Sequence, residues 1–187
     1  MLTLNLHFTV WDYVMLVVVT LLGTAMAYLH HPKWKSLLLS LPTPFTVAVL
    51  SLHTPVGTTH VLGLFILLLY VHAVRLLYTR LRVPIVLAIA GPTLAYTILA
   101  ALIAPFVPNS PWAFWSVALG IFLISVVIVE LTPYRKEPGH RTPLPVWVKL
   151  PIIAGIILFL LVTKNMLQGF MSMYPMLAIV ALYEARH

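Results

Sequence analysis

Apolar residues in this chain do not alternate with polar ones at a helical or strand period. They come in runs of about twenty, separated by short clusters rich in Pro, Gly, Asn, Lys and Arg. Seven runs stand out, at 10–29, 36–52, 58–79, 84–105, 112–131, 147–163 and 167–184. An α-helix rises ~1.5 Å per residue, so ~20 residues cross the ~30 Å of hydrocarbon in a bilayer. Each run therefore predicts a transmembrane helix. The last two cannot be one helix. Together they cover 38 residues, about 57 Å of helix or twice the hydrocarbon thickness, and Lys164 and Asn165 mark the expected break. Between the runs, "PFVPNSP" at 105–111 reads as an outer turn, and "TPYRKEPGHRTPLPV" at 132–146 is the one sizeable polar loop. It is too short for a domain, so residues 1–187 form a single transmembrane unit.

The second run breaks its own pattern. "LLLSLPTPFTVAVLSLH" at 37–53 is apolar enough for a bilayer but carries Pro42 and Pro44 among Ser40, Thr43, Thr46 and Ser51. Proline removes a backbone donor and clashes with the preceding turn. The freed carbonyls then need a partner, because lipid offers none. The hydroxyls either cover those carbonyls or face a wet cavity. The seventh run offers a counterpart in "KNMLQGFMSMYPMLAIVALYEARH". Aligning Pro44 with Pro175 also brings Lys33 onto Lys164 and Val49 onto Val180, with Gln168, Ser172 and Tyr174 ahead of the second proline. Five spans apart, the two runs are antiparallel. Interrupted helices at matching places in inverted halves point to a transport site. The expectation is a weak inverted repeat pairing helices 1–2 with 6–7 and a solute path between helices 2 and 7. Ser40, Thr43, Pro44, Thr46, Gln168, Ser172, Tyr174 and Pro175 would line it. The fourth run repeats the theme with Gly91-Pro92 followed by Thr93, Tyr96 and Thr97.

Composition agrees with the pattern. The chain is 61% hydrophobic and 8% charged, with mean hydropathy +1.04, where soluble domains carry roughly 25% charged residues. Only an integral membrane protein fits. The formal charge of +7 would suggest nucleic acid in a soluble protein, but here it follows topology. With the N-terminus outside and the C-terminus cytoplasmic, Lys33, Lys35, Arg75, Arg80, Arg82, Arg135, Lys136, Arg141, Lys149 and Arg186 all fall inside, and Lys164 alone falls outside. That is the positive-inside distribution. A second run that dipped in and returned would split the basic residues less sharply, so it reads as a true span. The predicted location is the inner or plasma membrane.

Candidate chemistry is sparse. There is no cysteine, which excludes thiolate catalysis, disulfides and Cys-ligated metals. No phosphate-binding glycine loop, H-E-x-x-H or G-x-S-x-G occurs. Asp12, Lys149, Lys164 and Glu184 sit at span ends and are expected to reach the interface. His72, Arg75 and Glu130 lie toward the inner ends of runs three and five and form the candidate proton-coupling group. His53 and His60 bracket the turn "HTPVGTTH" without an evident third ligand, so no metal or other cofactor is predicted. The leading expectation is a small multi-pass transporter or channel for a neutral, amphipathic or ionic solute. Its partners would be membrane lipid, the solute and a further copy or another membrane subunit, with no nucleic acid. The alternatives are an accessory subunit of a membrane complex and an inner-leaflet lipid enzyme using His72 and Glu130.

Overall fold

The computed structural model describes residues 8–131 and 142–184. Arg135, Lys136, Arg141 and Arg186, which enter the charge count above, lie outside the described residues. Within them the chain is helical throughout: α1 (Val10–Tyr28), α2 (Pro32–Ser40), α3 (Thr43–Leu52), α4 (Thr58–Thr79), α5 (Ile85–Ile103), α6 (Pro111–Leu131), α7 (Val146–Leu167) and α8 (Met176–Glu184). Among the described residues, six stretches are long and apolar enough to cross a membrane.

The proline-bearing second run is one rod in two pieces. Pro42 has no N–H for the carbonyl of Leu38, so α2 ends, and Leu41 adopts an extended conformation. The local hydroxyls bond backbone carbonyls of their own stretch, though not the Leu38 carbonyl. Ser40 Oγ donates to Leu37 O at 2.8 Å, and Thr46 Oγ1 donates to Pro42 O at 2.9 Å. Both hydroxyls are thus engaged by their own backbone, but at carbonyls other than those the prolines leave without a donor. The helix restarts at once, with Thr46 N donating to Pro42 O at 2.8 Å.

The expected break at Lys164 and Asn165 is not there. α7 continues through both to Leu167. The chain leaves the helix at Gln168, whose backbone lies at φ 49°, ψ −134°. That region is costly for any residue with a Cβ. Six residues of 3₁₀ turn follow (Gln168–Met173). Tyr174 and Pro175 then lead into α8, with Met176 N donating to Tyr174 O at 2.7 Å and Ile179 N to Pro175 O at 2.8 Å. The stretch returns along α7, because Glu184 at the end of α8 meets Lys149 near the start of α7.

This returning stretch lies in the middle of the bundle. Leu167, Phe170 and Met171 are fully buried, and Tyr174, Met176 and Leu177 nearly so. The 3₁₀ turn packs on α4 and α3, while α8 packs on α1 and α5. Two glycines permit the approach. A Cβ on Gly63 of α4 would sit 2.7 Å from the Cβ of Met173, and one on Gly169 would run into Thr59 and His60. α6 is the opposite case. It leans on α4 and buries none of its residues.

Candidate functional site

Two carboxylates that the sequence reading assigns to the interface are buried instead. Asp12, near the start of α1, is fully buried and bonds Lys164 Nζ at 2.6 Å. The same carboxylate accepts from Thr9 N at 2.6 Å, from Thr9 Oγ1 at 3.0 Å and from Ser51 Oγ. Glu184 bonds Lys149 Nζ at 2.8 Å and accepts from the backbone N–H of Thr142, also at 2.8 Å. Lys149 donates further to Ala27 O and Thr142 O and lies over the ring of Tyr28. The correction has a simple cause. A span-end charge snorkels only when its side chain faces lipid or headgroups. These four face neighbouring helices, where only an opposite charge and further hydrogen bonds offset desolvation. One pair lies near each end of α7, so the pairs tie α1 and α8 to the same rod.

Between them, at the break in the returning stretch, hydroxyl groups collect. Tyr96 Oη donates to Phe170 O at 2.9 Å and its ring meets Tyr174 edge-on, with centroids 5.4 Å apart. Thr97 Oγ1 lies 3.5 Å from Tyr174 Oη and donates to Thr93 O. The Gly91-Pro92 region of α5 thus packs its polar residues onto the break. Beside it runs a cleft of about 660 Å³ between α5, α7 and α8. Its walls are mainly apolar. Thr93 and Tyr174 lie along it, Lys149 and Glu184 line its other end, and Ile89 and Phe159 form part of its sides. From Lys149 to Phe159 along α7 is about 15 Å, roughly half the hydrocarbon thickness.

The predicted path residues divide between two faces. Segment two does meet the returning stretch, since α3 packs on the 3₁₀ turn. The residues α3 buries are Val47, Ala48 and Ser51. Ser40 and Thr46 are exposed, and Thr43 and Pro44 are half-buried. Ser172, Tyr174 and Pro175 are buried, and Ser172 Oγ donates to Gly169 O. Gln168 is exposed. The two helix restarts also differ in register. Pro42, not Pro44, occupies the place in α3 that Pro175 occupies before α8.

Comparison with protein-family models, curated proteins and solved structures finds no match.

The proposed coupling group is dispersed. His72, Arg75 and Glu130 are all exposed. His72 Nδ1 engages Leu68 O on its own helix at 2.9 Å, and no ion pair joins Arg75 to Glu130. Instead, His60 is the one buried histidine among the described residues. Its Nδ1 accepts from Gly57 N at 3.1 Å and its ring meets Phe45 edge-on, while His53 stays exposed with its ring against Ser51 O. The sequence signal for His60 was present but ambiguous. Gly-x-x-His at a helix start is a capping arrangement as well as half of a metal-ligand spacing. Asp12 and Lys164 were harder to pair, because 152 positions separate them.

Proposed function

We propose that this chain is a seven-span membrane carrier for a small amphipathic or neutral solute, with its path on the α5 side of the broken returning stretch. The N-terminus faces outside, and the Lys149–Glu184 end of α7 faces the cytoplasm of a cell that holds the protein in its inner or plasma membrane. One observation carries the reading. A helix interrupted inside the bundle core, at Gln168 and again at Tyr174-Pro175, borders a half-depth apolar cleft with Thr93 and Tyr174 in its wall. Interrupted spans beside a cavity at mid-membrane are the usual architecture of secondary carriers. The charge on Lys149 and Glu184 is mutually satisfied, so the cleft suits a solute without net charge. The path moves from the α3 side because the hydroxyls of Ser40 and Thr46 are committed to their own backbone.

Reconstitution tests it. Proteoliposomes loaded with a neutral, fluorescently tagged short-chain amphiphile should release it to an impermeant external quencher faster than protein-free vesicles do. Gly155→Trp or Ala90→Phe, which fill the cleft, should return release to the protein-free rate, while Thr46→Val should not. Release unaffected by either cleft-filling change sinks the proposal. A second reading has one observation in its favour. α6 packs closely on α4 alone and buries none of its own residues, leaving an apolar surface, as a helix that docks another membrane chain would. Stable co-purification of such a chain, with no release by the protein alone, is the result that favours an accessory subunit.

A further inference from the structure

We infer that His60 is a proton-binding site that locks and unlocks the broken returning stretch. The inference deepens the carrier reading by naming its coupling ion. It is tested below without measuring transport, so the two can fail separately.

The geometry fixes how the ring is used. Nδ1 accepts the backbone N–H of Gly57 at 3.1 Å. An acceptor nitrogen carries no proton, so the proton of the neutral ring sits on Nε2. That nitrogen is buried, in a residue only 2% exposed, and has no hydrogen-bond partner among the described residues. Thr58 Oγ1, two positions earlier, is buried and unpartnered too. The other side of the ring is closed by Gly169, where any Cβ would strike Nδ1 and Cε1. Gly169 directly follows Gln168, the residue with the strained backbone that begins the 3₁₀ turn.

Protonation acts on this arrangement in one direction. A proton added at Nδ1 turns the acceptor into a second donor that faces the N–H of Gly57. The Gly57–His60 bond is lost and the ring must turn. Gly169 leaves it no room, so the turn at 168–173 must shift with it. Neutral His60 therefore holds the break closed, and the imidazolium releases it. Nothing charged on the packed elements competes. Neither α3 nor the 168–173 turn contains an ionisable side chain, and the next one along α4 is Tyr70. On α5 and α6, which also pack on α4, they are Tyr96, whose Oη donates to Phe170 O, and Glu130, exposed near the far end of α6. On α7, Lys164 precedes the turn by four residues and is held by Asp12. His53, in the connecting loop, is exposed and bonds Ser51 O. His60 lies in the first turn of α4, so a proton has only a short way to come from water.

The natural chain has no cysteine, so one introduced thiol reports cleanly. Ser172→Cys places it inside the buried turn, and Thr54→Cys in the exposed loop supplies a reference that corrects for thiol ionisation. In proteoliposomes, the labelling rate of Ser172→Cys by a membrane-permeant maleimide, relative to the reference, should rise about tenfold between pH 8 and pH 5, the effect of losing one backbone hydrogen bond. With His60→Gln added, the ratio should not change with pH. A constant ratio in the single-cysteine protein, or the same rise with Gln at 60, overturns the inference. Imidazole ¹⁵N shifts in detergent provide a check that needs no variant. They should show the Nε2–H tautomer of His60 at neutral pH and the imidazolium in acid, and an unchanged ring across that range overturns the inference as well.

Discussion

At the scale of single residues, the buried pairs Asp12–Lys164 and Lys149–Glu184 make the sharpest demands on the fold. Each ion has lost its water and is held by an opposite charge and, for both carboxylates, by neutral donors as well. Removing one member strands the other. Asp12→Asn or Lys164→Met should each lower stability by about 3–5 kcal/mol, read as the unfolding midpoint in detergent. The double replacement Asp12→Leu with Lys164→Met should recover most of that loss, because no charge is left stranded. Losses that simply add in the double variant would show that the two side chains do not act as a pair. His72, Arg75 and Glu130, all exposed, should tolerate alanine with little change in the midpoint.

At the scale of elements, glycine and proline decide how closely helices approach and where they stop. Gly63 faces Met173 at a distance no Cβ tolerates, and the atom it would meet is another Cβ, fixed to the backbone. Gly63→Ala should therefore destabilise the protein by about 1–3 kcal/mol through overpacking. Gly91 and Gly155 have open space where a Cβ would go, so alanine there should be neutral or should stabilise by up to about 1 kcal/mol from helix propensity alone. The same thermal assay in detergent reads all three, and an equal effect at all three would contradict the packing described. The prolines show how far local chemistry goes. That Pro42 interrupts the second run was legible from the residues. That α7 runs on past Lys164 was not, since a lysine at a membrane boundary and a lysine pointed at a buried aspartate look alike in sequence.

At the scale of the whole molecule, a second run that truly crosses makes a labelling prediction that one dipping in and returning does not. Single cysteines at Lys33 and Arg80 should react with an impermeant reagent from one face of sealed vesicles, and cysteines at Thr54 and Asn165 from the other. All four positions are exposed. Lys33→Cys and Arg80→Cys on opposite faces would overturn the topology and, with it, the orientation of the proposed carrier. The bundle is unevenly built. α1, α4, α7 and the returning stretch share the buried core, whereas α6 stands at its edge and touches α4 alone among its closer neighbours. The sequence does not distinguish these roles. In a soluble protein, polarity separates buried from exposed positions, but a helix facing lipid and a helix facing helices are both apolar.

The sequence by itself determined the all-helical content, the apolar runs long enough to cross a membrane and the positions of the proline breaks. Hydrophobic run length and missing backbone donors are local quantities, and each acts on its own stretch of chain. Only the tertiary structure decided which polar residues matter. It buried Asp12, Lys149, Lys164, His60 and Glu184, exposed Ser40, Thr46 and Gln168, and carried the seventh run through the core beside α5. Those outcomes depend on what lies across from each side chain, and in a uniformly apolar medium nothing in the local pattern records the direction it faces.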